Sequence, residues 1–299
     1  MIVVVGSINV DLVAQVARLP RAGETIAGRT FATDPGGKGA NQALAARRAG
    51  ADVALFGAIG NDAFAAPAVA LLRAGGVDLR GVRTVDARTG VALIHVDAAG
   101  ENTITVIAGA NAAVTADMLP DALLGPTTLV LMPLEIPLAA VAAVASRARA
   151  AGARVLLNAA PAMALDAAML SHVDVLVVNE HEAAVLAAPL GLPADPAEFC
   201  AAMAARFGQA AIATLGARGA VAATGAARIA LRSPRVDVVD TVGAGDALTG
   251  ALAAALDRGL ALRDALREGV AAGALACTRR GAQASLPERG DIARLAATI

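Results

Sequence analysis

The 299-residue chain has no tryptophan and no tyrosine, and aromatic residues make up only 2% of it. Phe31, Phe56, Phe64, Phe199 and Phe207 are scattered, so the sequence offers no stacking platform for single-stranded nucleic acid. Formal net charge is −1 and no long basic run occurs, which argues against a duplex phosphate backbone as partner. Cys200 and Cys277 stand far apart, outside any Cys-x-x-Cys spacing. They specify neither a disulfide scaffold nor a zinc site, and buried thiols in a reducing compartment are the simpler reading. His95, His172 and His181 lack metal-ligand spacing. No apolar stretch runs far enough to cross a bilayer before a charge or proline breaks it. The Met1–Val5 run has no basic leader and soon meets Asp11, unlike a signal peptide. The expectation is a soluble, cytoplasmic protein with neither membrane nor nucleic acid as partner.

What is abundant is small and aliphatic. Hydrophobic residues make up 57% of the chain, much of it alanine, so Val, Leu, Ile and Ala must build the core. Short Val/Ile/Leu runs alternate with Ala-rich stretches. The candidate strands are Ile2–Val5, Val53–Phe56, Leu129–Met132, Arg154–Leu157, Val175–Val178, Ala211–Thr214 and Ala220–Ala223. Candidate helices between and after them include Asn41–Ala49, Ala63–Ala74, Leu138–Ala150, Ala197–Phe207 and Leu262–Thr278. Strands apolar throughout, separated by helices, predict an α/β fold with a parallel sheet covered on both faces. Ligands of such sheets gather at the carboxyl ends of strands. Polar clusters fall there: Gly6–Asp11, Glu135, Asn158, Asn179–Glu182, Thr214–Gly219 and Asp240–Asp246. That coincidence predicts one site assembled from many loops.

Two regions break the alternation. Residues 11–33 lack a helical period, and residues 89–107 read as strands Gly90–Val96 and Asn102–Ile107 joined by a hairpin-like Asp97-Ala98-Ala99-Gly100 turn. Together they predict a small sheet projecting as a lid from a single domain spanning residues 1–299.

The segment Asp240-Thr241-Val242-Gly243-Ala244-Gly245-Asp246 carries the most chemistry. It joins an extended run, Val236–Val239, to a helix, Ala247–Leu256. Its glycines let the backbone approach a ligand, and the free N–H groups of a first helical turn attract an anion. Asp246 in that turn is placed to take a proton from a hydroxyl attacking a phosphate. A tight turn with Asp246 as helix cap fits the segment equally well.

Asp34-Pro35-Gly36-Gly37-Lys38-Gly39-Ala40-Asn41-Gln42 is a second glycine-rich turn leading into a helix. It is not a Walker A loop, since Gly39 follows Lys38, and no Gly-x-Gly-x-x-Gly follows a strand anywhere. Lys38 and Asn41 in such a turn suit a small polyol. Asn9 and Asp11, two apart in an extended segment, share a face and suit adjacent hydroxyls, although Asp11 in solvent is the commoner fate of an aspartate. Glu135, between Pro133 and Pro137, belongs either at a strand end in solvent or in a ligand pocket. Asn179-Glu180-His181-Glu182 can organise a hydrated Mg²⁺ near phosphates or simply start a helix. Thr214-Leu215-Gly216-Ala217-Arg218-Gly219 suits a nucleotide phosphate or a tight connection.

In order along nearly the whole chain, these segments resemble the ribokinases of the PfkB-type carbohydrate kinase family. The matching stretches include Gly6–Asp11, Gly36–Gln42, Gly90–Ile94, Gly100–Asn102, Ala108–Asn111 and Leu134-Glu135. They continue through Asn158–Ala162, Asn179-Glu180, Thr214–Gly219, Asp240–Asp246 and Arg279–Ser285. The resemblance implies a Rossmann-like α/β sheet with a small β lid, and transfer of the ATP γ-phosphoryl group to the 5-hydroxyl of D-ribose. It makes Asp246 the base and the backbone of Gly243, Ala244, Gly245 and Asp246 the anion hole. It gives the sugar to Asn9, Asp11, Gly37, Lys38, Asn41 and Glu135, together with Asp246. Asn179 and Glu182 would position Mg²⁺ through water and phosphate. Asn179, Thr214, Leu215, Gly216, Ala217, Arg218, Gly219 and Gly245 would line the nucleotide site. A monovalent cation, K⁺, would sit beside the anion hole at Asp240, Val242, Ala276, Arg279, Gly281 and Ser285. The resemblance also implies a homodimer formed through the lid. Val178, Val270 and His95 depart from residues common in the family, at the Asn-x-x-Glu approach, the adenine wall and the lid. Another sugar (deoxyribose or fructose), a nucleoside, or a silent sugar sensor are the alternatives, and the absence of Tyr and Trp weighs against a base-stacking nucleoside pocket.

Overall fold

The computed structural model describes residues 1–299. In chain order its strands are β1 (Ile2–Val5), β2 (Asn9–Val16), β3 (Gly28–Gly36), β4 (Val53–Gly60), β5 (Asp78–Val85), β6 (Gly90–Val96), β7 (Asn102–Ile107), β8 (Leu129–Met132), β9 (Arg154–Asn158), β10 (Val175–Asn179), β11 (Ala210–Thr214), β12 (Ala220–Ala223) and β13 (Arg228–Leu231). Nine of them form one sheet in the order β13-β12-β11-β10-β9-β8-β1-β4-β5. Every pairing from β11 to β5 is parallel, and β12 and β13 close one edge antiparallel. Along β1, Ile2 and Val4 enter one core and Val3 and Val5 the other, all fully buried. A strand buried on both faces needs a helical layer on each. The Lys38–Arg48, Ala244–Asp257 and Leu262–Ala276 helices cover one face, and the Leu138–Ala150, Glu180–Leu190 and Pro196–Phe207 helices cover the other.

This is the α/β layout expected from the alternation, in the Rossmann-like form that the resemblance implies. Strand order reverses beside β1: later strands run outward from β4 on one side and from β8 on the other. Such a switch point opens a crevice at the strand carboxyl ends, where Gly6–Ile8 and Pro133–Glu135 leave β1 and β8.

The small sheet runs β3-β2-β6-β7, with β2 and β6 parallel and the outer pairs antiparallel. It draws on both regions that broke the alternation, and extends past residues 11–33 to include Asn9 and Gly36. Cross-strand register places Asp34, Asp11, Ala92 and Val106 in one row on one face.

Some elements differ from expectation. The Ala63–Ala74 stretch is two short helices, Ala65–Ala68 and Ala70–Ala74, parted where the backbone leaves helical geometry at Val69 (φ −109°, ψ 3°). Val236–Val239 pairs with no strand; Val239 N–H donates to Cys277 O instead.

Candidate active site

Two helix starts form the centre of the site. The Lys38–Arg48 helix begins after Gly37 (φ 89°) and the Ala244–Asp257 helix after Gly243 (φ 77°). Both glycines occupy the left-handed region that side chains disfavour, so each loop turns directly into a helix. The helices cross at Gly250, where a Cβ would lie 2.5 Å from Ala45 Cβ and 2.7 Å from Ala46 N. Only a bare Cα permits so close a crossing. One turn earlier on the same helix stands Asp246. Its Oδ2 accepts from Asn41 Nδ2 at 2.9 Å and its Oδ1 from Gln42 Nε2 at 2.8 Å. Asp246 is buried and makes no capping bond to its own helix, so a plain cap does not describe it.

The switch-point crevice supplies the next wall. Glu135 is neither free in solvent nor idle: its Oε2 accepts from Ser7 Oγ at 2.6 Å and from Lys38 N at 3.0 Å. Ser7 Oγ also accepts from Gly39 N at 3.2 Å. Asn111 accepts from Ile8 N and donates from Nδ2 to Asn9 Oδ1 at 2.7 Å. Asn9 is thereby oriented with its own amide hydrogens uncommitted by that bond. Asp11 is buried, and burial first, then the nearby Glu135, Asp246 and Asp34 carboxylates, push its pKa up to about 7. Lys38 shows the complementary effect. Burial alone would lower its pKa, but Asp246, Glu135, Glu182 and Asp11 more than offset that and hold it above the ordinary lysine value.

Beyond Asp246 lie two adjoining cavities. One, of about 470 Å³, is lined by Lys38, Asn179, Glu182, Gly243, Gly245 and Asp246 among others. The second, of about 780 Å³, is more apolar, with Val236, Val238, Leu248, Val270 and Ala274 in its wall. Both include Thr214, Gly216, Thr241 and Gly245, so they meet at the helix start. Of the turn after β11, Ala217 and Gly219 also line the larger cavity, whereas Leu215 and Arg218 line neither. Leu215 N–H bonds back to Gly219 O, and Arg218 pairs with Glu180 outside. Asn179 and Glu182 form a capping box: Asn179 Oδ1 accepts from Glu182 N at 2.8 Å, and Glu182 Oε2 accepts from Asn179 N at 2.7 Å. The helix-start reading therefore holds, and the same pair faces the smaller cavity. Burial raises the Glu182 pKa, against the Asn179 N–H and Lys38, which lower it.

Asp240 ties two loops together. Oδ1 accepts from Val242 N at 3.0 Å and Oδ2 from Gly281 N at 2.9 Å. Arg279 N–H makes a long 3.3 Å bond to Ala276 O, and the buried Ser285 Oγ donates to Ala282 O.

A family model described as pfkB family carbohydrate kinase matches residues 1–289. The chain belongs to this family. Among the kinases it resembles is a ribokinase of Schizosaccharomyces pombe, 38% identical over 300 residues, covering 96% of this chain and 94% of that protein. A ribokinase structure from Thermotoga maritima superposes with a TM-score of 0.91 at 30% identity, covering 98% of each chain. A structure of Arabidopsis thaliana ribokinase complexed with ribose and ATP superposes at 0.87, with 30% identity and coverage of 99% of this chain and 98% of that one.

In this pfkB family member Ser7, Gln42, Asn111 and Asn158 have no role assigned from the sequence, yet each is buried and bonded within the site. Gln42 carried a signal. With Asn41 it is a polar interruption in an otherwise Gly- and Ala-rich buried helical turn.

Proposed function

We propose that the protein transfers the γ-phosphoryl group of ATP to the 5-hydroxyl of D-ribose, giving D-ribose 5-phosphate and ADP. One observation carries this: the buried Asp246 carboxylate sits at a helix start between the polar crevice and the paired cavities. Phosphoryl transfer depends on positioning and charge stabilisation, with little covalent work for the protein. The apolar walls of the larger cavity suit a nucleoside, and the smaller cavity suits its phosphates. Asn9, Asp11, Gly37, Lys38, Asn41 and Glu135 hold the sugar, with the unpartnered Asn41 Oδ1 free to accept a hydroxyl. Asp246 takes the proton of the attacking hydroxyl. The N–H groups from Gly243 to Asp246 receive the phosphoryl oxygens, as a helix start with its dipole favours. Thr214, Gly216, Ala217 and Gly219 flank the nucleotide, and Leu215 and Arg218 shape that turn from behind. ATP-dependent product formation across D-ribose, 2-deoxyribose, fructose and nucleosides tests this reading. The expected result is the highest kcat/KM for D-ribose with phosphate on O5. Equal use of 2-deoxyribose would overturn the sugar assignment.

The donor sets fit two cations. Glu182, buried and short of hydrogen bonds on Oε1, suits a hydrated Mg²⁺, which keeps most of its waters and neutralises charge on the transferring phosphoryl group. Asp240, Val242, Ala276, Arg279, Gly281 and Ser285 offer only oxygen ligands, mostly backbone carbonyls, which suits K⁺. Turnover is expected to rise severalfold when K⁺ is added to buffer free of monovalent metal ions, and Asp240→Ala should abolish the response. Equal rates with and without K⁺ would remove the assignment.

The small sheet is read as a lid over the sugar, and as the face by which two copies join. Ile104 and Val106 are 52% and 49% exposed on the face that carries Asp11, and Phe31 is 67% exposed on the other. A sedimentation mass near twice 29.4 kDa is expected; a monomer at micromolar concentration would count against it. With its unpaired thiols and its ATP substrate, the enzyme suits the cytoplasm.

Asp11 gives the site a pH signature. Its folded pKa of about 7 lies above the unfolded value of 3.8. The folded state therefore binds the proton more tightly, and this contribution to stability is full below pH 4 and lost as pH rises through 7. The sugar, which donates hydroxyls to the charged form, favours the opposite state. Ribose binding at pH 6–7 is expected to release a proton, and affinity should strengthen as pH rises through about 7. Calorimetry in buffers of different ionisation heat measures the proton, and Asp11→Asn should remove it.

A further inference from the structure

Gln42 is wholly buried, and its amide makes two bonds whose direction is fixed by the partners beyond them. Nε2 donates one hydrogen to Asp246 Oδ1 at 2.8 Å and the other to Asn158 Oδ1 at 2.9 Å. Asn158 Nδ2 in turn donates to the Val177 carbonyl at 3.2 Å. A backbone carbonyl can only accept. It therefore holds Asn158 with nitrogen toward Val177 and oxygen toward Gln42. That oxygen demands an N–H from Gln42, so the Gln42 amide cannot turn over. Its remaining hydrogen must point at Asp246.

Asn41 is not locked in this way. It donates to the other oxygen of Asp246, but its own Oδ1 has no partner in the protein. Gln42 Oε1 is also buried without a partner. Stranding a buried acceptor is costly, and a methionine would fill similar space with no polar atom to strand. The amide must be retained for what its nitrogen does.

We propose that Gln42 is a positioning residue for phosphoryl transfer. It is the last link of a directional relay, from the Val177 carbonyl through Asn158, that always presents an N–H to Asp246. This inference rests on Asp246 being the base. An N–H donor favours the charged carboxylate, whereas an oxygen turned toward it opposes that form. Lys38 of the Lys38–Arg48 helix, Asp11 of β2 and Glu182 of the Glu180–Leu190 helix are the charged groups within electrostatic reach of Asp246. The relay also starts on β10, two residues before Asn179, so it ties the aim of the base to the strand that presents the phosphate-side pair.

Steady-state kinetics with D-ribose and ATP as a function of pH, with thermal melting of each protein, tests the relay in Gln42→Met, Gln42→Glu, Asn158→Ala and Asp246→Asn. Gln42→Met is expected to lower kcat about ten- to a hundredfold, the size of one hydrogen bond to a charged group, with both KM values within about threefold. The acidic limb of its kcat profile should move up by about one pH unit. Gln42→Glu, which sets a second carboxylate against Asp246, should move the limb further. Asn158→Ala never touches Asp246 but frees the Gln42 amide to turn, and should move the limb the same way by less. A limb that stays in place in the Gln42→Glu and Asn158→Ala proteins overturns the relay, whatever happens to kcat; these two decide the matter if Gln42→Met does not fold. Wild-type turnover in Asp246→Asn would instead sink the base assignment, whereas its collapse beside an unmoved limb would sink the relay alone.

Discussion

Asp246→Asn is expected to lower turnover by about 10²–10⁴-fold, the range for losing a general base, while sugar affinity stays within about tenfold. The asymmetry follows from the contacts of the carboxylate. Both its oxygens accept amide hydrogens, from Asn41 and from Gln42. An asparagine at 246 can keep one acceptor toward the fixed Gln42 amide and turn its NH₂ toward Asn41. Asn41 has an unpartnered Oδ1, so its amide can flip to receive that hydrogen. The fold therefore tolerates the change, and what the flip removes is a sugar contact worth about one hydrogen bond. What cannot be replaced is the proton acceptor. Asp246→Ala is a different experiment: it leaves two buried N–H groups facing each other's void and should cost about 1–3 kcal/mol of stability as well. Rapid-quench measurement of phosphoryl transfer, with sugar affinity from calorimetry, separates the two effects. Turnover of Asp246→Asn within about threefold of the parent would remove Asp246 from the role of base.

The sequence carried the frame of this site further than its detail. Ile2–Val5, Leu129–Met132, Ala220–Ala223, Gly90–Val96, Asn102–Ile107 and Leu138–Ala150 have the bounds expected from their apolar patterns. Ile2–Val5 and Leu129–Met132 are apolar and buried throughout, so there local pattern and tertiary environment agree. Where they disagree, the pattern misleads. Gly39 looks like part of a turn, yet it belongs to the Lys38–Arg48 helix. It is there because a Cβ at 39 would lie 2.5 Å from Gly6 C and from Ser7 N. β5 and β13 escape notice because each is an edge strand mixing charged and apolar residues, whose only long-range instruction is a neighbour elsewhere in the chain. Val236–Val239 has the composition of a strand and no such neighbour. The site shows the same division. Glycine turns and isolated acids mark Asp246, Lys38, Asp11 and Glu135 in the sequence. The roles of the residues that orient them are not legible, because Ser7, Gln42, Asn111 and Asn158, even where a polar cluster marks the position, gain a role only from partners about 30 to 200 positions away.

Asp11→Ala is expected to raise the KM for D-ribose by about 10²–10³-fold, the loss of charge-assisted bonds to two hydroxyls, and to change kcat much less. Asp11 and Asp246 are both buried acids close enough to influence each other, so a split between their kinetic effects is informative. Asp11 is fixed on a strand, in a row with Asp34 and Ala92, and packs against the bare Gly36 Cα, where a Cβ would come within 2.3 Å of its oxygens. That packing holds the carboxylate in one place on the small sheet, on a different element from the Ala244–Asp257 helix that carries Asp246. A group so placed contributes to holding the sugar equally in the ground state and the transition state, which appears in KM and leaves kcat alone. Asp11→Asn, which keeps the shape and one acceptor, should lose less affinity than Asp11→Ala and should lose the pH dependence of binding near 7 as well. Initial rates over a wide ribose range at saturating ATP distinguish the outcomes. A kcat loss with unchanged KM would mean that Asp11 acts on the reacting hydroxyl, and the division of labour between the strand acid and the helix acid would have to be reversed.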